Sequence, residues 1–428
     1  MGLIYIHVFG CRTSLCEGEF IAGELEASGF EVTETLNSDI RAAVIVTCSV
    51  TQEADRKCRQ LVRRVRKTLG DDGILAVCGC WSQGITPEAA CELGIDILAG
   101  SKGKRSVPSA VIQMLSGKRS FIDIRPDIRV ETEWEELPMI SPVMHSRAFV
   151  KIQDGCNHFC TYCIIPYLRG KPVSRPPENI INEVQRLIDN GTKEIIFTGI
   201  HLGIYGREIG TSLAELIRRV SGIKELKRLR LGSLEPFCLD ENLMNALAEC
   251  EAFCHHLHLP LQSGDDEVLA SMRRGYTGRK FVELCGTARS RISADLHISS
   301  DILVGFPGES SAAFQRTLDV MEASGFGRVH VFPYSARNGT IAAAMSNQIP
   351  DAVKTSRTSE AISLGRKLFS DYAGRFIGRE VEILTERNGR GHTRHYIEAE
   401  CEGISDNEIV KAEVINFDDG NFECLDRN

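Results

Sequence analysis

The sequence lacks any apolar run close to the roughly 20 residues that a membrane-spanning helix requires. It also lacks the basic segment and the small-residue cleavage site of a secretory signal peptide around its first strand-like stretch, residues 3–9. No internal repeat and no low-complexity tract is present. These absences argue against a membrane-spanning protein and a repeat architecture. We expect a cytoplasmic protein with no membrane partner.

An excess of positive charge is also absent. The chain has 50 Lys and Arg residues against 58 Asp and Glu, which gives a formal net charge of -8. Phosphate contacts normally leave a basic footprint, so this balance opposes a protein that binds nucleic acid over its whole surface. Any nucleic-acid partner must be held by a local basic patch.

Cysteine, in contrast, is abundant, with 16 residues in a chain of 428. Structural disulfides are rare in a reducing compartment, so metal or redox chemistry is the better explanation. The composition, 43% hydrophobic and 25% charged, is ordinary for a globular protein. The length allows two or three domains.

The pattern of elements predicts an α/β protein. Residues 1–125 alternate short β-rich runs with helix-length segments, which is typical of a doubly wound parallel sheet. Residues 126–146, rich in proline and acidic side chains, are interpreted as a linker. The β-rich runs of the first domain are residues 4–9, 44–47, 74–77 and 95–98.

A second β/α series over residues 147–370 predicts a full or partial barrel of about six units. Such barrels gather their active sites at the carboxyl ends of the strands. Residues 371–428 change character and predict a small all-β module, an open barrel. The six barrel strands are expected at residues 148–152, 194–198, 228–231, 256–259, 298–304 and 329–332.

Three cysteines in CxxxCxxC spacing follow the first barrel strand: Cys156, Cys160 and Cys163. Three thiolates can hold three irons of a 4Fe-4S cluster and leave the fourth iron open to a chelating molecule. A zinc site with a distant fourth ligand, or three core cysteines, are the alternatives.

The sequence around this loop resembles the radical SAM domain of the methylthiotransferase family, through residues 148–155 before the cysteines and residues 164–170 after them. The resemblance extends over nearly the whole chain. It implies that Cys156, Cys160 and Cys163 are catalytic. They would hold a cluster that cleaves S-adenosylmethionine (SAM) into methionine and a 5'-deoxyadenosyl radical, which removes hydrogen from an unactivated carbon.

Further segments at the predicted strand ends match the family. Their small residues allow a ligand to approach the backbone, and their polar side chains can hydrogen-bond ribose or the methionine moiety. Turn geometry or strand capping is the alternative explanation. The expected contacts of SAM or substrate are Gly199, Ser233, Glu235, Gln262 and Asp301.

Cys11, Cys48 and Cys80 each follow a predicted strand of the first domain. In a doubly wound sheet these strand ends share one edge, so the three thiols can converge. Buried free cysteine is the alternative, since it is common, and Cys58 and Cys78 compete for the role. The local sequence resembles the family's N-terminal cluster motifs, except that Ser14 stands where the family usually has asparagine.

The resemblance implies a second 4Fe-4S cluster at Cys11, Cys48 and Cys80, also with an open iron. This cluster would carry a sulfur that a further SAM molecule methylates. The cofactors are therefore expected to be two 4Fe-4S clusters and SAM. The partners are expected to be tRNA and an electron donor such as a flavodoxin or a ferredoxin.

Residues 391–399 resemble the core of a TRAM domain, a small RNA-binding barrel, and point to Arg394 and Tyr396 as phosphate and stacking contacts. However, the tail has twice as many acidic as basic residues. A solvated barrel or a protein-docking module is the alternative. A second basic patch is predicted on the helix after Cys48, which is rich in Arg and Lys, although a basic helix is often only a solvated face.

Subgroups of the family act on isopentenyl-adenosine or threonylcarbamoyl-adenosine in tRNA, or on a ribosomal protein. Residues 147–154, 198–202, 256–263 and 330–337 look most like the threonylcarbamoyl-adenosine subgroup. The carboxylate of that base needs a cation, for which Arg337 is the candidate, unless it is only a surface arginine. The alternatives are the isopentenyl-adenosine enzyme, a radical SAM protein without sulfur insertion and a non-catalytic tRNA-binding iron-sulfur module.

Overall fold

The computed structural model describes residues 2–117, 119–139, 147–386, 389–401, 404–418 and 420–426. The chain divides into two compact units. The first comprises Met1–Phe159, Cys163–Asn190 and Thr198–His201, and the second comprises Cys160–Tyr162, Gly191–Phe197 and Leu202–Asn428. Residues 140–146 of the predicted linker lie outside the described part. None of the described helices is both long enough and apolar enough to cross a membrane.

The first unit contains a six-stranded sheet in the order β2-β1-β3-β4-β5-β6, with every pair parallel. Its strands are β1 (Leu3–Val8), β2 (Glu31–Thr33), β3 (Ile40–Thr47), β4 (Ile74–Gly79), β5 (Ile97–Leu98) and β6 (Ile122–Asp123). The helices between them are α1 (Arg12–Ala27), α2 (Gln52–Leu69), α3 (Cys80–Gly84), α4 (Pro87–Glu92) and α5 (Val107–Ser116).

Alternating side chains of β3 build a core on each face of this sheet. Val44 and Val46 pack with residues of α1 and α5 on one face. Ala43 and Ile45 pack with residues of α2 and α4 on the other. Both faces are covered, as the near-continuous apolar sequence of a parallel strand requires. The predicted doubly wound sheet is confirmed.

The strand order creates a switch point between β1 and β3. The chain leaves β1 for β2 on one side, and then crosses to β3 on the other side. In open α/β sheets, ligands bind outside the carboxyl ends of the strands at such a point.

The first unit continues with β7 (Ala148–Asp154), α6 (Ile165–Arg169), β8 (Val173–Ser174) and α7 (Pro177–Asp189). All seven residues of β7 are buried, and β8 pairs with its end in antiparallel fashion, Gln153 opposite Ser174. The cysteine loop follows β7 directly.

The second unit continues the β/α series. Its strands are β9 (Glu194–Gly199, the last two residues belonging to the first unit), β10 (Arg228–Leu231), β11 (His256–His258), β12 (His297–Val304) and β13 (Arg328–Pro333). Its helices are α8 (Leu213–Ser221), α9 (Glu241–Glu249), α10 (Asp266–Met272), α11 (Gly278–Arg291), α12 (Ser311–Ser324) and α13 (Asp351–Ala373). Parallel pairs join β9 to β10, β11 to β12 and β12 to β13. The six expected barrel strands correspond to β7 and β9–β13.

The C-terminal strands form a closed barrel in the order β14-β15-β16-β18-β17. The expectation of an open barrel is therefore wrong. Closure comes from the parallel pairing of β16 with β18, Ala399 opposite Phe422, and from β15, which the sequence did not predict. The strands are β14 (Glu380–Thr385), β15 (Arg390–Thr393), β16 (Glu398–Glu400), β17 (Ile409–Asp418) and β18 (Asn421–Asp426).

Two buried arginines of β10 hold the end of β15. Arg228 donates to the carbonyl oxygen of His392 at 3.0 Å, and Arg230 donates to that of Thr393 at 3.3 Å. Glu194 pairs with both and offsets part of their charge, with 2.9 Å between a carboxylate oxygen and the Nε atom of each arginine. All three side chains are fully buried.

We expect Glu194→Gln to lower the free energy of unfolding by about 3–5 kcal/mol, because removing one partner of a buried ion pair strands the other charge. Urea denaturation followed by circular dichroism measures this loss. The control is Glu380→Gln, whose ion pair with Lys411 is exposed. We expect it to cost less than about 1 kcal/mol. Equal midpoints for the two variants would contradict the proposed role of Glu194.

Candidate functional site

Three cysteines meet the carboxyl edge of the first sheet at its switch point. Cys11 precedes α1, Cys48 follows β3, and Cys80 is the first residue of α3 after β4. Because β1, β3 and β4 are neighbours, their ends bring these residues together. Cys11 is exposed, whereas Cys48 and Cys80 are buried.

The proximity of the three thiols is visible in their electrostatics. Burial raises the pKa of Cys48 to about 11, and the thiols of Cys11 and Cys80 add to this effect. Metal coordination deprotonates a thiol outright, so a bound metal would overcome the preference of Cys48 for its neutral form. Ser14, at the position where the family usually has asparagine, lies 3.6 Å from the sulfur of Cys11 and can hydrogen-bond it.

The competing cysteines are placed elsewhere. Cys78 packs into the apolar core beside α1 and α5. Cys58 belongs to the core under α2, and its thiol donates to the carbonyl oxygen of Cys48 at 3.5 Å. Cys58 thus stabilises the loop of Cys48 from the core under α2.

Gly10 leaves the space in which Cys48 lies. A Cβ atom at Gly10 would lie 2.7 Å from the Cβ atom and 2.9 Å from the sulfur of Cys48. The φ angle of Gly10 is +105°, in the region that favours glycine. No side chain fits there unless Cys48 moves.

A buried arginine forms a hydrogen bond with one of the three cysteines. The Nε atom of Arg169 donates to the sulfur of Cys80 at 3.2 Å. Three thiols with an adjacent fixed positive charge suit an anionic iron-sulfur cluster, because the charge offsets that of the thiolates. The chemistry of these residues therefore fits a cluster with three protein ligands.

The second cysteine group lies on the loop after β7, and each of its three thiols is partly exposed. Gly155 starts the loop with φ +74°, and a Cβ atom there would lie 2.0 Å from the carbonyl oxygen of Lys171. The sulfur of Cys156 lies 3.7 Å from Nδ1 of His201. The backbone of His201 donates to Gln153 at 2.7 Å. His201 therefore contacts a candidate ligand from the loop after β9.

Cys160 belongs to the second unit and has an arginine of its own. Arg274, 1% exposed, donates from Nη1 to the sulfur of Cys160 at 3.6 Å and is ion-paired with Glu235. The positive charge of Arg274 is therefore paired within the second unit. Thr161 fixes the adjacent backbone by donating from its hydroxyl group to the carbonyl oxygen of Ser271 at 2.8 Å.

The predicted SAM contacts lie at or just beyond strand ends. Gly199 ends β9, and its missing side chain leaves room for Gln153, 3.0 Å from an added Cβ atom. Ser233 is exposed beyond β10 and bridges to His258. Glu235 follows at the same strand end.

Gln262 and Asp301 are joined through the backbone. The amide of Gln262 donates to the carbonyl oxygen of Asp301 at 2.8 Å, and Gln262 has φ +67°. Burial raises the pKa of the Asp301 carboxyl group, but His258, 3.2 Å away, together with His330 and Arg274, more than offsets this, so the pKa is lowered. Asp301 is therefore an anion that is available to ligand donors.

Arg337 is only 8% exposed and follows β13. Its carbonyl oxygen accepts from the backbone and hydroxyl of Thr340. Two residues later, the amide of Ala342 donates to Thr161 of the cysteine loop at 2.9 Å. Arg337 thus belongs to a buried turn that is tied to this loop, not to an exposed surface loop.

Arg394 and Tyr396 make internal contacts. Arg394 donates to the carbonyl oxygen of Glu251 at 2.6 Å. The Tyr396 ring lies 4.4 Å below the guanidinium of Arg230. Both side chains contribute to the attachment of the C-terminal barrel, and their contact with RNA remains a prediction.

Two family models match the chain. Residues 150–321 match the Radical SAM superfamily, and residues 3–100 match the uncharacterized protein family UPF0004. The boundary between these matches falls between the two cysteine groups.

Curated relatives match almost end to end. The chain is 34% identical to the threonylcarbamoyladenosine tRNA methylthiotransferase MtaB of Bacillus subtilis, over 99% of this chain and 96% of the relative. It is 32% identical to the MtaB of Thermotoga maritima, over 99% and 97%. The tRNA-2-methylthio-N(6)-dimethylallyladenosine synthase of Caldicellulosiruptor saccharolyticus is 33% identical, over 93% and 86%.

Among solved structures, the radical SAM methyltransferase TsrM from Kitasatospora setae aligns with a TM-score of 0.57 at 16% identity. The alignment covers 80% of this chain and 77% of that one. The cobalamin-dependent radical SAM enzyme OxsB aligns with a TM-score of 0.52 at 11% identity, over 86% and 56%. These likenesses concern the fold.

We expect Gly10→Ala to remove about four of about eight irons from the reconstituted protein, because its Cβ atom displaces Cys48. Iron and labile-sulfide analysis measures the loss. The control is Gly29→Ala, which has φ +87° but nothing within 4 Å of its added Cβ atom. It carries backbone strain of about 1–2 kcal/mol without touching a cysteine. Full iron content in the Gly10 variant would refute the packing argument.

Proposed function

Because the chain belongs to the methylthiotransferase family of radical SAM enzymes, we propose that it converts N6-threonylcarbamoyladenosine next to the tRNA anticodon to its 2-methylthio derivative. The observation that carries this choice is end-to-end coverage. The chain spans 96–97% of the relatives named for threonylcarbamoyladenosine. It spans 80–86% of those named for dimethylallyladenosine, at similar identity. The tRNA substrate places the reaction in the cytoplasm.

Each of the two cysteine groups is proposed to hold one cluster. Cys156, Cys160 and Cys163 hold one 4Fe-4S cluster and Cys11, Cys48 and Cys80 hold the other. When bound, the clusters and SAM supply hydrogen abstraction at the base and transfer of a methylated sulfur to the resulting carbon radical. A flavodoxin or a ferredoxin is the proposed electron donor. The other proposed site residues bind and orient SAM and the modified base.

Five residues at the strand ends are proposed to orient SAM. Gly199 allows close approach to the backbone, and Ser233 and Gln262 offer hydrogen bonds. Asp301 is anionic and can accept from ribose hydroxyl groups or from an amino group. Glu235 offers a carboxylate to SAM and is at the same time ion-paired with Arg274, whose guanidinium it holds beside Cys160.

Arg337 is proposed to bind the carboxylate of the threonylcarbamoyl group. A buried carboxylate is costly unless it is paired, and a guanidinium can pair with it through two hydrogen bonds. An isopentenyl group would need an apolar pocket instead. The burial of Arg337, in a turn tied to the cysteine loop, supports this assignment.

We expect the reconstituted enzyme to methylthiolate tRNA that carries threonylcarbamoyladenosine, and not tRNA that carries isopentenyladenosine. Arg337→Ala should lower kcat/KM by about 10- to 100-fold, because a hydrogen bond to a charged group contributes about 1.5–3 kcal/mol. Nucleoside mass spectrometry measures both results. Arg279→Ala, at an 88% exposed side chain, is the control arginine.

Product formation on the isopentenyl tRNA alone would overturn the substrate assignment, whereas an unaffected Arg337 variant would overturn only its role. A variant with Cys11, Cys48 and Cys80 replaced by Ala completes the set. It should still cleave SAM to 5'-deoxyadenosine but form no methylthio product.

A basic stripe on α2 is proposed as a tRNA-binding surface. Arg56, Arg59, Arg63 and Lys67 are all exposed and spaced three or four residues apart, so they share one face of the helix. Arg56 is partly neutralised by Glu53. The stripe stands out in a chain whose net charge is -8. It begins a short distance after Cys48.

We expect Arg59→Gln with Arg63→Gln to weaken tRNA binding and to reduce the slope of log affinity against log salt by about 1.5, since each lost phosphate contact removes about 0.7–0.9. Filter binding over a salt series measures the slope. The control is Lys224→Gln with Lys227→Gln, two exposed lysines before β10. An identical slope for both double variants would refute the α2 surface.

A further inference from the structure

Five charged side chains are buried together in the first unit. Glu17 of α1 contacts three cations: Lys151 at 2.8 Å, Arg169 at 2.8 Å and Lys104 at 3.2 Å. Asp154 contacts Lys151 at 2.5 Å and Arg169 at 3.1 Å. None of the five side chains is more than 4% exposed.

Arg169 connects this cluster to a proposed iron ligand. Its Nη atoms contact Glu17 and Asp154, whereas its Nε atom donates to the sulfur of Cys80 at 3.2 Å. The planar guanidinium is held on two sides by carboxylates, so its third side has one fixed direction. Lysine has no equivalent of this geometry.

The charges of the cluster do not cancel. Among the five ion-paired side chains, three cations face two carboxylates, which leaves an excess of one positive charge. Buried Lys102 also interacts electrostatically with Asp154 and Lys151. A buried uncompensated charge is strongly unfavourable. Cys80 accepts a hydrogen bond from Arg169. As a metal-bound thiolate, this cysteine can supply negative charge to the cluster.

We infer that Arg169, held by Glu17 and Asp154, is a positioning residue that raises the reduction potential of the cluster at Cys11, Cys48 and Cys80. The inference rests on the proposed function, which places a cluster there. One-electron reduction adds negative charge to a cluster without breaking a bond. A hydrogen bond to a ligand sulfur and a nearby positive charge both stabilise the reduced form, so they raise the potential.

The two ends of the network predict shifts of opposite sign. Arg169→Gln removes the positive charge beside Cys80, so the midpoint potential should become more negative. Glu17→Gln removes a negative charge, while the remaining amide oxygen can still accept from Arg169 and Asp154 still holds the guanidinium. The potential should therefore become more positive. The matched control is Arg175→Lys, a buried arginine 3% exposed whose ion pairs are with Glu136 and Glu183.

The experiment is a dithionite titration of the full-length protein, followed by electron paramagnetic resonance. Cys156, Cys160 and Cys163 are replaced by Ala in every sample, so that only the N-terminal cluster is observed. The expected order of midpoint potentials is Arg169→Gln lowest, the parent and Arg175→Lys equal, and Glu17→Gln highest. If Arg169→Gln does not retain the cluster, the sign of the shift in midpoint potential in Glu17→Gln decides whether the inference holds.

A potential that is unchanged in Glu17→Gln, or shifted to more negative values, overturns the inference while leaving the cluster assignment intact. A parent sample with no iron-sulfur signal would instead overturn the assignment of Cys11, Cys48 and Cys80 as ligands. The two failures are therefore distinguishable.

Discussion

The parallel pairing of β1, β3 and β4 is the constraint on which the N-terminal site depends. It brings Cys11, Cys48 and Cys80 to one edge, although up to 69 positions separate them in the chain. The switch point beside β1 leaves that edge open. Gly10 then provides the space for Cys48. A change in strand order would separate the thiols, whatever the local motifs.

Buried arginines recur at both cysteine groups. Arg169 donates to Cys80 and is held by Glu17 and Asp154. Arg274 donates to Cys160 and is held by Glu235. In each case carboxylates fix the guanidinium and the guanidinium fixes a sulfur. The fold thus positions the candidate ligands through charge as well as through loop geometry.

The sequence predicted the parts that local patterns encode. The long strands and the cysteine motifs are local signals, and the doubly wound sheet and the six barrel strands are confirmed. Four short strands, β2, β6, β8 and β15, carry too little pattern and were missed. The pairing of Glu17 with Arg169 spans 152 positions, and the contacts of the 393–396 turn depend on tertiary packing. Neither of these long-range contacts can be predicted from a local sequence pattern.

The most direct test of the proposed reaction is nucleoside mass spectrometry of total tRNA from the source organism with and without this gene. We expect 2-methylthio-N6-threonylcarbamoyladenosine to disappear and N6-threonylcarbamoyladenosine to accumulate when the gene is absent, and the intact gene to restore the wild-type pattern. Loss of the 2-methylthio-isopentenyl nucleoside instead, with the threonylcarbamoyl derivative unchanged, would contradict it.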